Sequence, residues 1–238
     1  MLIALDDETT WPQSIVPIVE RLLPSSQRPM NPDLLRQILD QALPHDIVGF
    51  HATRLHRVHI ELLKNGTRTL VPLSPENERD RVYDVVRHGD LSEDEAEALL
   101  ATSRVHESSS NIPIRQGSLY LYFTNSVFKK DICFKFFRYW GGESLGQYGA
   151  HKEILKKIGI PCVVEVKVPI RFVRSWISGK DFVNAYTQNH GGKYIDEGMY
   201  GAIDNPACPV TVRNIIEFVS DRFTEMTSGV DWREPIHP

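Results

Sequence analysis

Cysteine is scarce: Cys133, Cys162 and Cys208 are the only three in 238 residues, far apart and without Cys-x-x-Cys spacing. That excludes a disulfide framework and a zinc knuckle, and it fits a reducing compartment. An excess of one charge sign is missing too. The 27 basic and 31 acidic residues are well mixed and leave a net charge of −4, so the chain lacks the basic footprint of a dedicated nucleic-acid binder, though a local basic patch fits within that balance. No apolar run approaches membrane-spanning length. The apolar start Met1-Leu2-Ile3-Ala4-Leu5 meets Asp6-Asp7-Glu8 at once, too short and too acidic for a signal peptide. A soluble, cytoplasmic protein with no membrane partner is expected. Gly-x-Gly-x-x-Gly, a phosphate-loop signature and a Gly-x-Ser-x-Gly elbow are all absent, which removes the common nucleotide and hydrolase motifs. Internal repeats and low-complexity tracts are absent as well.

What is present is enough apolar content, 41%, to bury a sizeable core as one domain with a small appendage. The most informative stretch is Ile47-Val48-Gly49-Phe50-His51-Ala52-Thr53-Arg54-Leu55. It reads as a buried strand ending in polar residues, with His51 and Thr53 on one face. Val58, Leu62 and Leu63 then follow at helical spacing, and Asn65-Gly66 stops that helix as a C-terminal cap. A strand end presenting histidine beside threonine, then a helix halted at glycine, is a common way to build a cleft. The same pattern fits a satisfied histidine at a strand end. His56-x-x-His59 lacks further ligands of suitable spacing, so no metal is expected there.

Residues 1–46 read as a helical extension packed on the main domain. Thr10 caps a helix through Leu23 with Ile15, Ile18, Val19 and Leu22 as its apolar stripe and Pro17 disturbing its first turn. Asn31-Pro32 starts a second helix that Pro44 ends, and residues 25–29 connect the two. Residues 74–104 form a helical insert: Ser74-Pro75 to Gly89, then a capping box from Ser92 and Glu95. Glu76, Glu78, Arg79, Asp80 and Arg81 are assigned to its solvated outer face, and residues 108–111 to a flexible loop. Beyond residue 117 strands dominate. Ser118–Thr124 alternates, with Tyr120, Tyr122 and Thr124 on one face. Phe134–Tyr139 is helix-like, and Trp140-Gly141-Gly142 permits a close approach or a sharp turn. A helix over 154–158 closes at Gly159, and Pro161–Pro169 is the clearest strand. Phe172–Ser178 fits a strand or a short helix, Asn189–Gly192 a loop, and Tyr200–Asp204 and Val212–Val219 further strands, with a loose tail after Met226. Helices early and strands late indicate α+β.

Phe50-His51-Ala52-Thr53, followed by a helix into Leu63-Lys64-Asn65-Gly66, resembles the start of the ADP-ribosyltransferase superfamily, which opens its cleft with a His-x-Thr strand. Leu121-Tyr122-Phe123-Thr124 resembles its second strand, residues 161–168 a later core strand, and Pro209-Val210-Thr211-Val212-Arg213-Asn214-Ile215 the proline turn before the last strand. The resemblance spans roughly residues 47–220. It implies an α+β fold with a split β-sheet core at 47–226, preceded by N-terminal helices (1–46), interrupted by the helical insert at about 74–104, and followed by a tail (227–238).

For chemistry, the resemblance implies an enzyme that splits the nicotinamide–ribose bond of NAD, its substrate, and passes ADP-ribose to a macromolecular acceptor, protein or nucleic acid. Toxin, effector or defence members of this kind can carry a cognate regulator or antitoxin. The oxocarbenium-like transition state calls for ribose contacts, a nicotinamide stack and nearby negative charge. His51 then holds the adenosine-side ribose, with Ala52 and Thr53 beside it on the cofactor. Tyr122 stacks on nicotinamide, and Arg54 or Arg138 holds the pyrophosphate. The catalytic carboxylate is assigned to Glu197, with Glu143 as the alternative and a glutamate-independent branch as a third option. Two other functions remain open on the same scaffold. One is a non-enzymatic nucleotide- or partner-binding module using the Trp140-Gly141-Gly142 region; the other is RNA 2′-phosphate chemistry using Arg54, Arg138, Lys129 and Lys130.

Overall fold

The computed structural model of the chain describes residues 1–23, 30–103, 105, 117–129, 133–145, 151–174, 177–192 and 199–228. Capping residues punctuate its first half. After β1 (Leu2–Ile3), a short 3-10 turn at Glu8–Thr10 is capped by the Asp7 carboxylate. α1 (Ile15–Leu22) starts from Ser14, not Thr10, because the Thr10 hydroxyl is engaged with the backbone of Ala4 and Asp7. Pro17 sits in the first turn of α1, where its missing N–H costs nothing. Asn31 caps α2 (Pro32–Ala42) by accepting from the Asp33 N–H at 2.9 Å. β2 (Asp46–Leu55) leads into α3 (Arg57–Lys64), which ends at Asn65 with Gly66 at φ 73°. Capping boxes at Ser74/Asn77 and Ser92/Glu95 open α4 (Pro75–Arg87) and α5 (Glu93–Ala101).

The second half continues with β3 (Leu119–Tyr122), α6 (Phe134–Arg138), α7 (Gly142–Leu145), α8 (Lys152–Leu155) and β4 (Ile160–Pro169). It closes with α9 (Gly179–Asn189), β5 (Tyr200–Ile203), β6 (Thr211–Glu217) and α10 (Asp221–Thr227). Residues 170–172 form a 3-10 turn, so the strand β4 does not continue beyond it. Two of these helices go beyond the sequence reading. α9 carries Phe182, Val183, Ala185 and Tyr186 buried at helical spacing behind a Ser178/Asp181 capping box, and α10 starts at the Ser220 cap. The loops expected at 25–29 and 108–111 lie outside the described residues. No described helix is long and apolar enough to cross a membrane.

The architecture is α+β around one six-stranded sheet in the order β5-β3-β2-β4-β6. Neighbours along that path are antiparallel, while β1 lies parallel against Asp46 and Ile47 of β2. β2 and β4 pair over ten residues, from Asp46 opposite Pro169 to Leu55 opposite Ile160. Alternation sends the two faces of these strands into different cores. Ile47 and Leu55 of β2, with Val164, Val166 and Val168 of β4, pack with α1, α2, α3 and α9. Val48, Phe50 and Ala52 face Phe128, Phe137 and Phe223 instead. The N-terminal 46 residues belong to the first of these cores: Trp11 packs edge-on to Phe182 at 5.2 Å and donates to the Ala4 carbonyl at 2.9 Å. A third cluster joins α4 and α5 to Trp140, Leu155 and Ile158.

One charged residue of the central ladder is buried. Glu165 of β4 is buried, and Arg213 and Arg222 reach its two oxygens at 2.8 and 2.6 Å. Full pairing is what makes a buried carboxylate tolerable at a sheet centre.

The α2–α9 crossing is closest at Gly179, where a β-carbon would sit 2.1 Å from the Leu35 carbonyl oxygen. Both partners are backbone, so no side chain can yield. Gly179→Ala is expected to lower unfolding free energy by about 3 kcal/mol, at the upper end of the overpacking range, measured by denaturant titration; a change under about 0.5 kcal/mol, typical of a surface site, would refute this account of the crossing.

Candidate functional site

The sheet is nearly divided between β3 and β2. β3 pairs with β5 through four residue pairs, from Leu119 opposite Ile203 to Tyr122 opposite Tyr200, yet meets β2 at the single pair Phe50–Tyr122. His51, the next residue of β2, occupies the point where the ladder stops. Its Nδ1 lies 3.0 Å from the Tyr120 carbonyl oxygen. A carbonyl only accepts, so Nδ1 carries the proton and Nε2 is left as a bare acceptor. Nε2 has no hydrogen-bond partner among the described residues. Burial pushes the His51 pKa below its ordinary value; the Tyr120 carbonyl pulls the other way, and the Arg81 guanidinium adds to the depression. His51 is thus a half-buried, neutral, oriented imidazole.

The neighbours assigned with His51 are distributed by the strand period. Thr53 shares its face, is buried, and pairs with Cys162 of β4. Ala52 points the other way, into the core with Phe50. Tyr122 stands directly across from Phe50 and packs edge-on to Phe128 at 5.8 Å, so its ring lies on the face opposite His51. Arg54 is a backbone clamp: it donates to the carbonyls of Ile158 at 2.7 Å, Lys156 at 2.6 Å and Phe137 at 3.2 Å, tying β2 to α6 and the end of α8. Arg138 is half-buried at the end of α6, close enough to Lys156 to oppose its charge. α6 packs on the Phe50 face through Phe137, away from His51. Lys129 is exposed, and Lys130 lies outside the described residues. Glu197 also lies outside them; Glu143 falls in α7, and its side chain is outside the described part.

Two charged residues that the sequence pattern assigns to the surface turn inward instead, and the charge of one of them, Arg81, acts on His51. Glu78 is buried, accepting from the Ser103 hydroxyl, and Arg81 is half-buried with its guanidinium carbon 5.8 Å from the Trp140 ring centroid. The signal was present in the spacing: Glu78, Val82 and Val85 form one helical stripe. The dense charge around them concealed it. His59 of α3 lies nearly parallel to Trp140, with centroids 6.4 Å apart and 13° between planes. Its Nε2 lies 3.2 Å from the Asp84 carboxylate, which also takes Arg68 at 2.6 Å and Arg87. Burial drives the His59 pKa down to about 4, helped by Arg81 and Arg68 and opposed by Asp84. Burial pushes Asp84 upward, but the hydrogen bonds from Arg87, His59 and Arg68 outweigh it, and the carboxyl ends below its ordinary value.

The Trp140-Gly141-Gly142 stretch is a turn. Gly141 sits at φ +80°, and a β-carbon there would lie 2.5 Å from Leu145 Cδ1. His56 pairs with Asp90 at 2.7 Å. Among the described residues no three His, Cys, Asp or Glu side chains converge as a metal site, and the three cysteines are buried and form no disulfide. On the far side of the Phe50–Tyr122 pair, Asp6 accepts from the Asn125 N–H at 2.7 Å. Burial there raises its carboxyl pKa to about 6, against the lowering effect of that hydrogen bond. Compared with known proteins, the chain matches no family model, no curated sequence and no solved structure.

The two perturbed groups give opposite pH dependences. His59 binds its proton less readily folded than unfolded, so its contribution is present above pH 6.5 and lost as pH falls toward 4. His59→Gln is expected to flatten the stability profile in that window, removing a slope worth about 3 kcal/mol for a shift of this size, and NMR titration of wild type should place His59 near pH 4. A titration near 6.5 would contradict the geometry. Asp6 binds its proton more readily when folded, so its contribution is present below pH 3.8 and lost as pH rises through about 6. Asp6→Asn keeps the acceptor for Asn125 and should stabilise the protein at pH 7.5 by about 3 kcal/mol, read from the thermal midpoint; no gain at that pH would show that Asp6 is ionised without cost.

Proposed function

We propose that the chain is an NAD-dependent ADP-ribosyltransferase that passes ADP-ribose to a protein or nucleic-acid acceptor, on a divergent split-sheet core of that superfamily. The observation that supports it best is His51 at the division between β3 and β2. The superfamily binds NAD where two small sheets part, and its His-x-Thr strand lines that opening. Here the single Phe50–Tyr122 pair leaves such a division, with His51 oriented by Tyr120 and its Nε2 unengaged among the described residues.

The chemistry follows from that nitrogen. A bare Nε2 accepts from a ribose hydroxyl and holds the sugar while the glycosidic bond to nicotinamide breaks. A neutral imidazole does so without adding positive charge beside the developing oxocarbenium ion. Negative charge near that cation falls to Glu197 or Glu143 in this reading. Tyr122 and Arg54 have no part in it, because one ring faces the other core and the other side chain holds three carbonyls.

Nicotinamide release from NAD by the purified protein, with cell lysate as acceptor, tests the reading. Wild type is expected to release nicotinamide, and His51→Ala to lower kcat/KM about 100-fold, the cost of one lost oriented hydrogen bond in a shielded site. Glu197→Gln and Glu143→Gln, measured alongside, identify the carboxylate by which one loses turnover. No release by wild type, or equal release by His51→Ala, refutes the proposal; removal of a 2′-phosphate from RNA in place of nicotinamide release would assign the scaffold to RNA chemistry.

A further inference from the structure

A guanidinium laid over an indole carries its charge within range of His51. Arg81 makes no hydrogen bond and no ion pair among the described residues, although it is half-buried and the other charges around it are matched. Arg68 and Arg87 share Asp84, and the Glu78 carboxylate accepts from Ser103. Besides the face of the indole, only the longer-range field of Glu78 favours the Arg81 charge, and Arg68 opposes it. The indole that Arg81 covers is itself buried to 1% exposure, and its Nε1–H has no acceptor among the described residues. His59, stacked on that indole and 4% exposed, directs Nε2 at Asp84 and leaves Nδ1 without a partner among the described residues. Buried polar groups are ordinarily paired, so unpaired buried atoms on two side chains that adjoin Arg81 are an anomaly that needs a cause.

We infer that Arg81 and Trp140 form a phosphoryl-binding site, with the guanidinium fork as the anion's main donor and the indole N–H as a second. The donor set selects the ligand class. A guanidinium and an indole N–H offer hydrogen bonds and accept none, which suits a fully ionised phosphate or pyrophosphate oxygen and not a sugar hydroxyl or a base edge. The ligand supplies the negative charge that Arg81 lacks. It also acts on the two flanking imidazoles, whose pKa values the unneutralised Arg81 charge depresses. Neutralising that charge lifts both, and a protonated Nδ1 on His59 turns from an idle acceptor into a donor.

The inference extends the transferase reading, in which the pyrophosphate of NAD is the natural occupant, but its test needs no turnover. Calorimetry with ADP-ribose, inorganic pyrophosphate and adenosine, together with NMR titration of the histidine ring signals, examines it directly. ADP-ribose is expected to bind and pyrophosphate to compete with it, and each is expected to raise the pKa values of His51 and His59. Arg81→Gln should weaken ADP-ribose about 30-fold, as loss of a charged hydrogen-bond donor does, and abolish the histidine shifts while leaving adenosine affinity unchanged. Arg81→Lys keeps the charge without the fork and should weaken binding several-fold, which preserves the test if the Gln variant fails to fold. Trp140→Phe keeps the ring without its N–H and should have an intermediate effect. Competition by pyrophosphate separates a plain phosphoryl site from one that requires the whole nucleotide. Histidines unmoved by either anion, or folded Arg81 variants that bind ADP-ribose like wild type, would overturn the inference. Anion binding without nicotinamide release would instead sink the transferase reading and leave this site standing.

Discussion

Ten consecutive residue pairs join β2 to β4, and each remaining element takes its position from that ladder. Its two strands are separated by more than a hundred residues, so the chain must close a long loop before the pairing returns any free energy. The return comes from burial on both faces. Val163, Val164, Val166 and Val168 have no exposed surface, and the helices on either side, α1, α2 and α9 on one face and α6 and α10 on the other, complete the two cores. β-branched side chains suit this setting because their stiff χ1 angles lose little on packing against a pleated surface. Arg54 then ties the end of β2 to the segments over one face, and the Arg213–Glu165–Arg222 bridge ties β4 to β6 and α10.

That rigidity is what gives the β2–β3 division its meaning. β2 is held along its length by β4, whereas β3 touches it once and is otherwise carried by β5. A histidine on the firmly held strand, bonded to a carbonyl on the loosely joined one, is oriented without filling the space between them. The helical insert adds charge from outside the sheet: Arg81 of α4 lies over Trp140, on which His59 stacks, and its charge acts on His51. Comparison with Arg54 and Glu165 is instructive. Those two charges are fully hydrogen-bonded and act as structural ties, while Arg81 is not, and the difference separates a group that holds the fold from one that awaits a ligand.

Much of the local structure could be read directly. The strand at 46–55, the cap at Asn65-Gly66, the Asn31-Pro32 start, both capping boxes of the insert and the strand at 160–169 all follow from spacing and end signals, and they appear within a few residues of where those signals lie. α9 and α10 were missed although Ser178/Asp181 and Ser220 signal them, because polar residues dilute their apolar stripes. His51 was legible as a candidate from the strand's polar end. Its orientation was not, since the Tyr120 carbonyl comes from a strand about seventy residues away.

The sequence by itself determined where elements begin and end and which residues share a face within each, because capping, turn and periodicity rules act over a few neighbouring residues. Only the tertiary structure decided which faces meet. Registering Phe50 against Tyr122 turned Tyr122 away from His51, and aligning Ile158, Lys156 and Phe137 with Arg54 turned a candidate ligand-binding arginine into a clamp. Packing α4 against Trp140 brought Glu78 and Arg81 inward from an apparently solvated charge run. Register and burial are set by contacts between segments distant in the chain, and no local pattern encodes them one at a time.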